Sequence, residues 1–330
     1  MPAKLEDLGE REIIRRIKAL LGAPERGIGL GDDTAAIPVG DSYLLITTDL
    51  MLSKTHIPEA MTPFQAGWYA AAINLSDIAA MGGKPLGFLV ALGLPREMEY
   101  EDLKQCVLGM EECCSEHGTG ILGGDTKESE EFTLSGTAIG TVPKDRILLR
   151  KGSQVGDHVC VTGPLGRAAC GYFALKRGLE LDDAVSALLM PRPRVEEGMA
   201  LSSSGSVTAC MDISDGLASS LHQMTELGGS HFRISFEDVP KPQELSSFSD
   251  IPQEDLVLFF GGDYELVFTV KVDRLDDAKR ALERAGSRLW RIGEVIESQD
   301  NILIKSGKER PLPNRGWEHL SPANLQSFKY

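Results

Sequence analysis

Six times in this chain an aspartate follows small residues at the end of an apolar run, and this recurrence constrains the fold more than any other feature. The segments are Gly31-Asp32-Asp33, Thr47-Thr48-Asp49, Asn74-Leu75-Ser76-Asp77, Gly123-Gly124-Asp125, Asp212-Ile213-Ser214-Asp215-Gly216 and Gly261-Gly262-Asp263. Singly, each has the composition of a turn or a helix N-cap. Asp77 resists that reading, because nearly everything around it from Ala70 to Met81 is small and apolar. An unpaired carboxylate buried there costs on the order of several kcal/mol. The choice at Asp77 is between a cap at a helix break near Ser76 and a carboxylate aimed into a site.

Collectively the aspartates say more. Two carboxylates about 4 Å apart repel by roughly 4 kcal/mol at an effective dielectric of about 20. A fold that gathers several must protonate some or bind cations. Hard oxygen donors without His or Cys among them select Mg²⁺ or Ca²⁺ over zinc. The formal net charge of −15 points the same way. It repels nucleic acid and anionic lipid, so neither is an expected partner. A phosphate ligand would then need neutralising by something other than Lys and Arg, and aspartate-bound magnesium meets that need.

At 330 residues the chain suits two domains. It has no apolar run of the roughly 18 residues that span a membrane. Met1 to Asp7 lacks the apolar stretch of a signal peptide, so a soluble, cytoplasmic protein is expected. Cys106, Cys113, Cys114, Cys160, Cys170 and Cys210 form no CxxC pair and read as small buried hydrophobes in a reducing compartment.

Apolar spacing predicts a helix carrying Ile13, Ile14, Ile17, Leu20 and Leu21 on one face, then a glycine-rich loop from Gly27 to Gly31. Further helices are expected over 63–81, 102–116, 165–177 and 217–227, with one more after Pro191-Arg192-Pro193. Strands are expected over 43–48, 86–94, 132–142, 157–162, 207–211 and 264–270. The polar, glycine-punctuated tract from Pro143 to Asp157 marks a boundary, giving domains over 1–145 and 146–330. Strands and helices alternate in both halves, so the class is α/β or α+β with mixed sheets. There is no GxxxxGK[ST], GxGxxG, HExxH, GxSxG or zinc-type Cys/His spacing. Those absences remove most hydrolase, oxidoreductase and zinc readings.

The ordered set Gly31-Asp32-Asp33-Thr34-Ala35, Thr47-Thr48-Asp49, Asn74 to Gly82, Gly123-Gly124-Asp125 and Met211 to Leu217 resembles the thiamine-monophosphate kinase family of the aminoimidazole-ribonucleotide synthetase superfamily. The likeness runs from Leu8-Gly9-Glu10 to Gly316-Trp317. It implies an N-terminal mixed α/β domain that pairs across a homodimer into an intersubunit β-barrel, followed by an α+β domain that completes the active site. It also implies ATP-dependent phosphorylation of thiamine monophosphate to thiamine diphosphate by direct in-line transfer among several magnesium ions.

By motif position, the resemblance places magnesium at Asp32, Thr47, Thr48, Asp49, Asp77, Asp125, Asp212 and Asp215, with Asp49, Asp125 and Asp215 forming the catalytic cage. ATP would meet Gly124, Asp125, Arg150 and Ser214, and the substrate would meet His56, Asp263 and Trp317. No residue is needed as a general base, because a phosphate oxygen is already ionised at neutral pH. One departure stands out: Gly261-Gly262-Asp263-Tyr264-Glu265-Leu266 is one residue shorter than the family's Gly-Gly-Glu-Asp-Tyr-Glu-Leu. The missing glutamate would be a substrate contact. Two other readings compete. One is a cyclo-ligase-like enzyme of the same superfamily acting on a different small molecule, and the other is a nucleotide-binding dimer without turnover.

Overall fold

The computed structural model describes residues 5–320 apart from residues 23 and 25, so Met1 to Lys4, within the stretch expected to carry no signal peptide, lie outside the described residues. Two mixed sheets organise the molecule. The first takes its strands from the first half of the chain: β1 (Ala35–Val39), β2 (Ser42–Leu52), β3 (Lys84–Leu94), β4 (Ile121–Glu128) and β5 (Thr133–Pro143). Their order is β1-β2-β5-β3-β4, with β3 and β4 parallel and the other pairs antiparallel. The helices of this half are α1 (Glu10–Leu21), the single-turn α2 (Ser53–His56), α3 (Pro63–Ala80) and α4 (Tyr100–Glu116).

Local chemistry explains α3. Thr62 and Gln65 form a reciprocal capping box, and Pro63 occupies the first helical position, where its missing N–H costs nothing. Beyond the cap, small residues let α3 press closely on its neighbours. A Cβ on Gly67 would lie 1.8 Å from the Cys106 carbonyl oxygen, and one on Gly109 would lie 1.9 Å from that of Phe64, so α3 and α4 cross with backbones in contact. The period of two in β5 sorts its faces. Leu134, Gly136, Ala138, Gly140 and Val142 are inward, and the alternate residues face away from the helices. On strands of this sheet Ile37, Leu50, Leu86 and Leu122 remain exposed.

The second sheet holds β6 (His158–Val161), β7 (Val207–Asp212), β8 (His231–Ser235), β9 (Leu266–Val270), β10 (Trp290–Ile296), β11 (Ile302–Lys305) and β12 (Lys308–Pro311), in the order β12-β11-β8-β10-β6-β9-β7. Around it lie α5 (Arg167–Arg177), α6 (Asp182–Leu189), α7 (Val195–Ser204), α8 (Leu217–Gly228), α9 (Gln253–Val257) and α10 (Leu275–Arg284). Alternate strand residues feed two cores. Val159, Val161, Ala209, Met211 and Val267 pack with α5 and α8, whereas Cys160, Cys210, Leu266 and Phe268 pack with α7 and α10. Ala80, the last residue of α3, joins the second of these cores and ties the two halves together.

Among the described residues neither sheet closes on itself into a barrel, and no helix is long and apolar enough to cross a membrane. All six cysteines are buried and unbridged. Three local expectations change. Helix α3 runs unbroken past Ser76, so Asp77 caps no break. Gly123-Gly124-Asp125 lies within strand β4 and not in a loop. The strand expected from Tyr264 starts at Leu266, because Tyr264 adopts φ 49°, outside the extended region.

Candidate active site

Three segments far apart in sequence converge on one point. Asp33 precedes β1, Asp77 sits in the last turn of α3, and Asp212 ends β7. Each offers a carboxylate oxygen, and these atoms all lie within 4.8 Å of one another. Alternation along β2 turns Thr47 and Asp49 to the α3 side and Thr48 to the other. The Thr47 hydroxyl donates to Asp77 Oδ2 at 2.5 Å, and Ser76 Oγ donates to Asp212 Oδ2 at 2.7 Å. Asn74, fully buried, accepts from the Asp49 amide at 3.1 Å and donates to the Ala70 carbonyl at 2.9 Å. The polar residues of α3 therefore fix Asp49 and Asp212.

Burial raises the proton affinity of Asp77, Asp212, Asp49 and Asp215. Burial pushes Asp77 well above the usual carboxylate range, and Asp49, Asp212 and Asp33 add to it. Asp212 is pushed up to about 8 by burial and then by Asp33. Asp49 rises to about 6 through burial. Asp215 also rises to about 6, through burial and then Glu10, with Arg11 and Arg150 opposing.

The donor set fits a hard divalent cation. It consists of carboxylates with a hydroxyl alongside and no nitrogen or sulfur, and Asp33 Oδ2 is buried without a hydrogen-bond partner. That orphaned oxygen is free to take a cation. Asp33, not its neighbour, is the member of the pair that enters the cluster. Asp32 turns to accept the Arg150 backbone N–H at 2.6 Å, while the Arg150 guanidinium bonds Asp33 Oδ1 at 2.9 Å.

The other residues singled out by sequence take several positions. Asp125 is exposed on the edge strand, with Lys127 Nζ 3.6 Å away, and stands outside the cluster. Gly124 is where β3 and β4 approach too closely for a side chain, since a Cβ would meet the Val90 carbonyl oxygen at 1.7 Å. Thr48 bonds the Gly136 carbonyl on the outer face. The Ser214 carbonyl accepts from Gly262 N–H at 2.7 Å, and the Asp215 carbonyl accepts from Trp317 N–H at 3.1 Å. Asp263 caps α5, accepting from Gly166 N–H at 2.7 Å and Ala168 N–H at 2.9 Å. Burial pushes its carboxyl up to about 7 against those bonds. Both of its oxygens are engaged at the α5 N-terminus.

His56 and Trp317 are brought together by a residue the sequence reading passed over. The His319 ring lies 5.2 Å from that of His56 and stands edge-on to Trp317 at 5.7 Å. Burial, then His319, lower the His56 pKa. Tyr69 and Tyr264 share a hydroxyl–hydroxyl bond of 3.0 Å close enough to Asp49 to feel its charge. Their neighbours in sequence, Trp68 and Ala70 for one and Asp263 and Glu265 for the other, give no sign of this. The buried carboxylates, the cationic Arg150 and the aromatic group of His56, His319 and Trp317 together define a polar site with the donors a cation would need.

Comparison with known proteins specifies the class. Residues 31–142 match the N-terminal domain of AIR synthase related proteins, and residues 154–306 match their C-terminal domain. The thiamine-monophosphate kinase of Pyrococcus horikoshii is 34% identical over 292 residues, covering 88% of this chain and 91% of that one. A ThiL structure complexed with AMPPCP and TMP superposes with a TM-score of 0.84 at 28% identity, covering 97% of this chain and 99% of that one. Escherichia coli HypE, a hydrogenase maturation protein, shares the fold at 22% identity with a TM-score of 0.70, covering 82% and 86% of the two chains. The chain belongs to the thiamine-monophosphate kinase family.

Proposed function

We propose that this protein transfers the γ-phosphoryl group of ATP directly to the phosphate of thiamine monophosphate, with several magnesium ions held by its aspartates. The observation that carries this reading is the convergence of Asp33, Asp77 and Asp212 beside Asp49 and Arg150. Asp33, Asp77, Asp212 and Asp49 would hold the metal, with Thr47 fixing Asp77. Magnesium bound there supplies charge neutralisation and orientation for two polyanions. Arg150 and the Ser214–Asp215 turn face the nucleotide. His56, His319 and Trp317 form the rim for the acceptor, where the indole, 40% exposed, offers a stacking surface. The chain needs no general base, because the attacking phosphate oxygen is already ionised, so positioning carries the catalysis. The one-residue-shorter loop leaves Asp263 to the α5 N-terminus and moves acceptor recognition to the His56–His319–Trp317 rim.

The assembled form is a cytoplasmic homodimer. Exposed Ile37, Leu50, Leu86 and Leu122, together with the exposed edge strand β4, support pairing of the first sheet with a second copy into a barrel. Asp125, out of reach of the cluster in one chain, lies on that edge. Light scattering after size exclusion should give twice the chain mass.

The activity is tested by incubating the protein with Mg²⁺-ATP and either thiamine monophosphate or thiamine, then separating the products chromatographically. Thiamine diphosphate should form from the monophosphate alone. If ATP binds with magnesium but no diphosphate appears, the acceptor is a different molecule.

A further inference from the structure

Among the described groups, Arg150 is the cation in direct contact with the carboxylate cluster, and its surroundings give it two destinations. Its side chain is 16% exposed and that of Asp33 is fully buried, so their pairing at 2.9 Å is little screened by water. Asp33 uses one oxygen for this bond, while the other, Oδ2, has no partner. On the opposite side the second terminal nitrogen of Arg150 donates to Gln223 Oε1 at 3.0 Å. Gln223 is held in turn, donating to Ser219 Oγ at 3.1 Å, and Ser219 Oγ also accepts from Arg11 at 2.6 Å. Arg150 Nε is buried with no partner. The guanidinium thus straddles the cluster and a polar track along α8, with one donor unspent.

We infer that Arg150 is the resident counter-cation of the carboxylate cluster, neutralising Asp33 in the metal-free protein and yielding that post when a divalent cation arrives. The argument is electrostatic. The cluster gathers three carboxylates, and the guanidinium against Asp33 is the positive charge in contact with it, so in the metal-free protein Arg150 offsets the charge of Asp33. A divalent ion taking the free Asp33 oxygen lies within a few ångströms of the guanidinium and repels it. The coupling is reciprocal: whatever Arg150 gains from Asp33 is subtracted from metal affinity. Metal alone therefore binds weakly. When an anionic ligand gives the guanidinium another partner, the Asp33 oxygens are released to the metal. On the nucleotide reading above, metal and nucleotide then bind cooperatively, and only this last step depends on that reading.

The test uses Mn²⁺ titration of chelator-stripped protein without nucleotide, with free ion followed by electron paramagnetic resonance. Arg150→Met keeps the bulk of the side chain and removes its charge. It should tighten Mn²⁺ binding by about tenfold, the least shift expected when a contacting opposite charge is deleted. Arg150→Lys keeps the charge and should stay near wild type. Equal or weaker binding by Arg150→Met overturns the assignment, as does equal tightening by both variants, which would indicate a steric effect. Absence of Mn²⁺ binding in every form overturns it as well. Should Arg150→Met fail to fold, wild-type protein with ¹⁵Nε-labelled arginine gives the answer. The buried Arg150 Nε resonance, assigned by its loss in Arg150→Lys, should shift on saturation with Mg²⁺ alone, and an unmoved signal refutes the exchange. Neither experiment uses thiamine monophosphate, so failure of the kinase reading leaves both interpretable.

Discussion

Replacing Asp212 by asparagine should make the metal-free protein more stable and the enzyme inactive. Asp212 offers its oxygen within 4.8 Å of those of Asp33 and Asp77. At that spacing each ionised pair repels by about 3 kcal/mol at an effective dielectric of about 20. Burial has already pushed Asp212 up to about 8, so at pH 8 the folded protein bears a large part of that cost. An amide of the same shape keeps the acceptor that Ser76 Oγ uses and points an N–H at a neighbouring carboxylate. After allowance for the lost attraction to Arg150, the net gain is about 2 kcal/mol, or roughly 4–8 °C in Tm for a domain of this size. The assay is thermal unfolding in EDTA at pH 8, repeated at pH 5 and in saturating Mg²⁺. The advantage should shrink at pH 5, where wild-type Asp212 is protonated, and vanish in Mg²⁺, which stabilises only the intact cluster. Turnover should fall by at least about a hundredfold. A lower Tm than wild type in EDTA at pH 8, or a gain that persists undiminished in Mg²⁺, would refute the reasoning that the cluster is a strained metal cage.

Three further outcomes follow from the same geometry. Asp49 and Asp215 near 6 and Asp212 near 8 exceed the unfolded value of about 3.9, so the folded protein holds more protons across that interval. Metal-free stability is therefore complete below about pH 4 in these terms and declines as pH rises towards 8; urea midpoints in EDTA that rise with pH would contradict this. Gly67→Ala drives a methyl into the Cys106 carbonyl and should cost at least about 2 kcal/mol, read as a lower urea midpoint, because backbone must move to make room. Asp263→Ala removes the α5 cap and should cost about 1–2 kcal/mol while leaving the KM for thiamine monophosphate unchanged, so a rise in KM without loss of stability would return Asp263 to the acceptor.

The sequence carried the chemistry further than the geometry. Asp77 was legible because a carboxylate amid alanines demands a reason, and α3 supplies it by delivering Asp77 to the cluster from its last turn. The choice between Asp32 and Asp33 was not legible. Adjacent residues differ only in the side of the chain they occupy, and that is settled by the pairing of Ile28 with Ala36 and by the distant Arg150 N–H. Strand β4 hid for a related reason: Gly123-Gly124-Asp125 has turn composition, and only pairing with β3 makes it extended. Asp263 follows two glycines as Asp125 does, yet it caps a helix nearly a hundred residues earlier in the chain. His319 lay beyond reach because its role exists only once the C-terminal segment lies against α2. Domain-scale alternation of strands and helices was readable, but short strands such as β11 and β12 lack a pattern distinct from loops.

The convergence of Asp33, Asp77 and Asp212 also bears on how the chain is made. During synthesis the first sheet and α3 leave the ribosome with two of the three carboxylates, while Arg150 and Asp212 are still to come. For that interval the half-built protein carries a pair of like charges with no guanidinium to quiet them. The first half therefore has reason to remain loosely closed around α3 until the second arrives. Cutting the gene between the sheets would preserve that interval indefinitely, giving an N-terminal fragment that folds better in acid than at neutral pH.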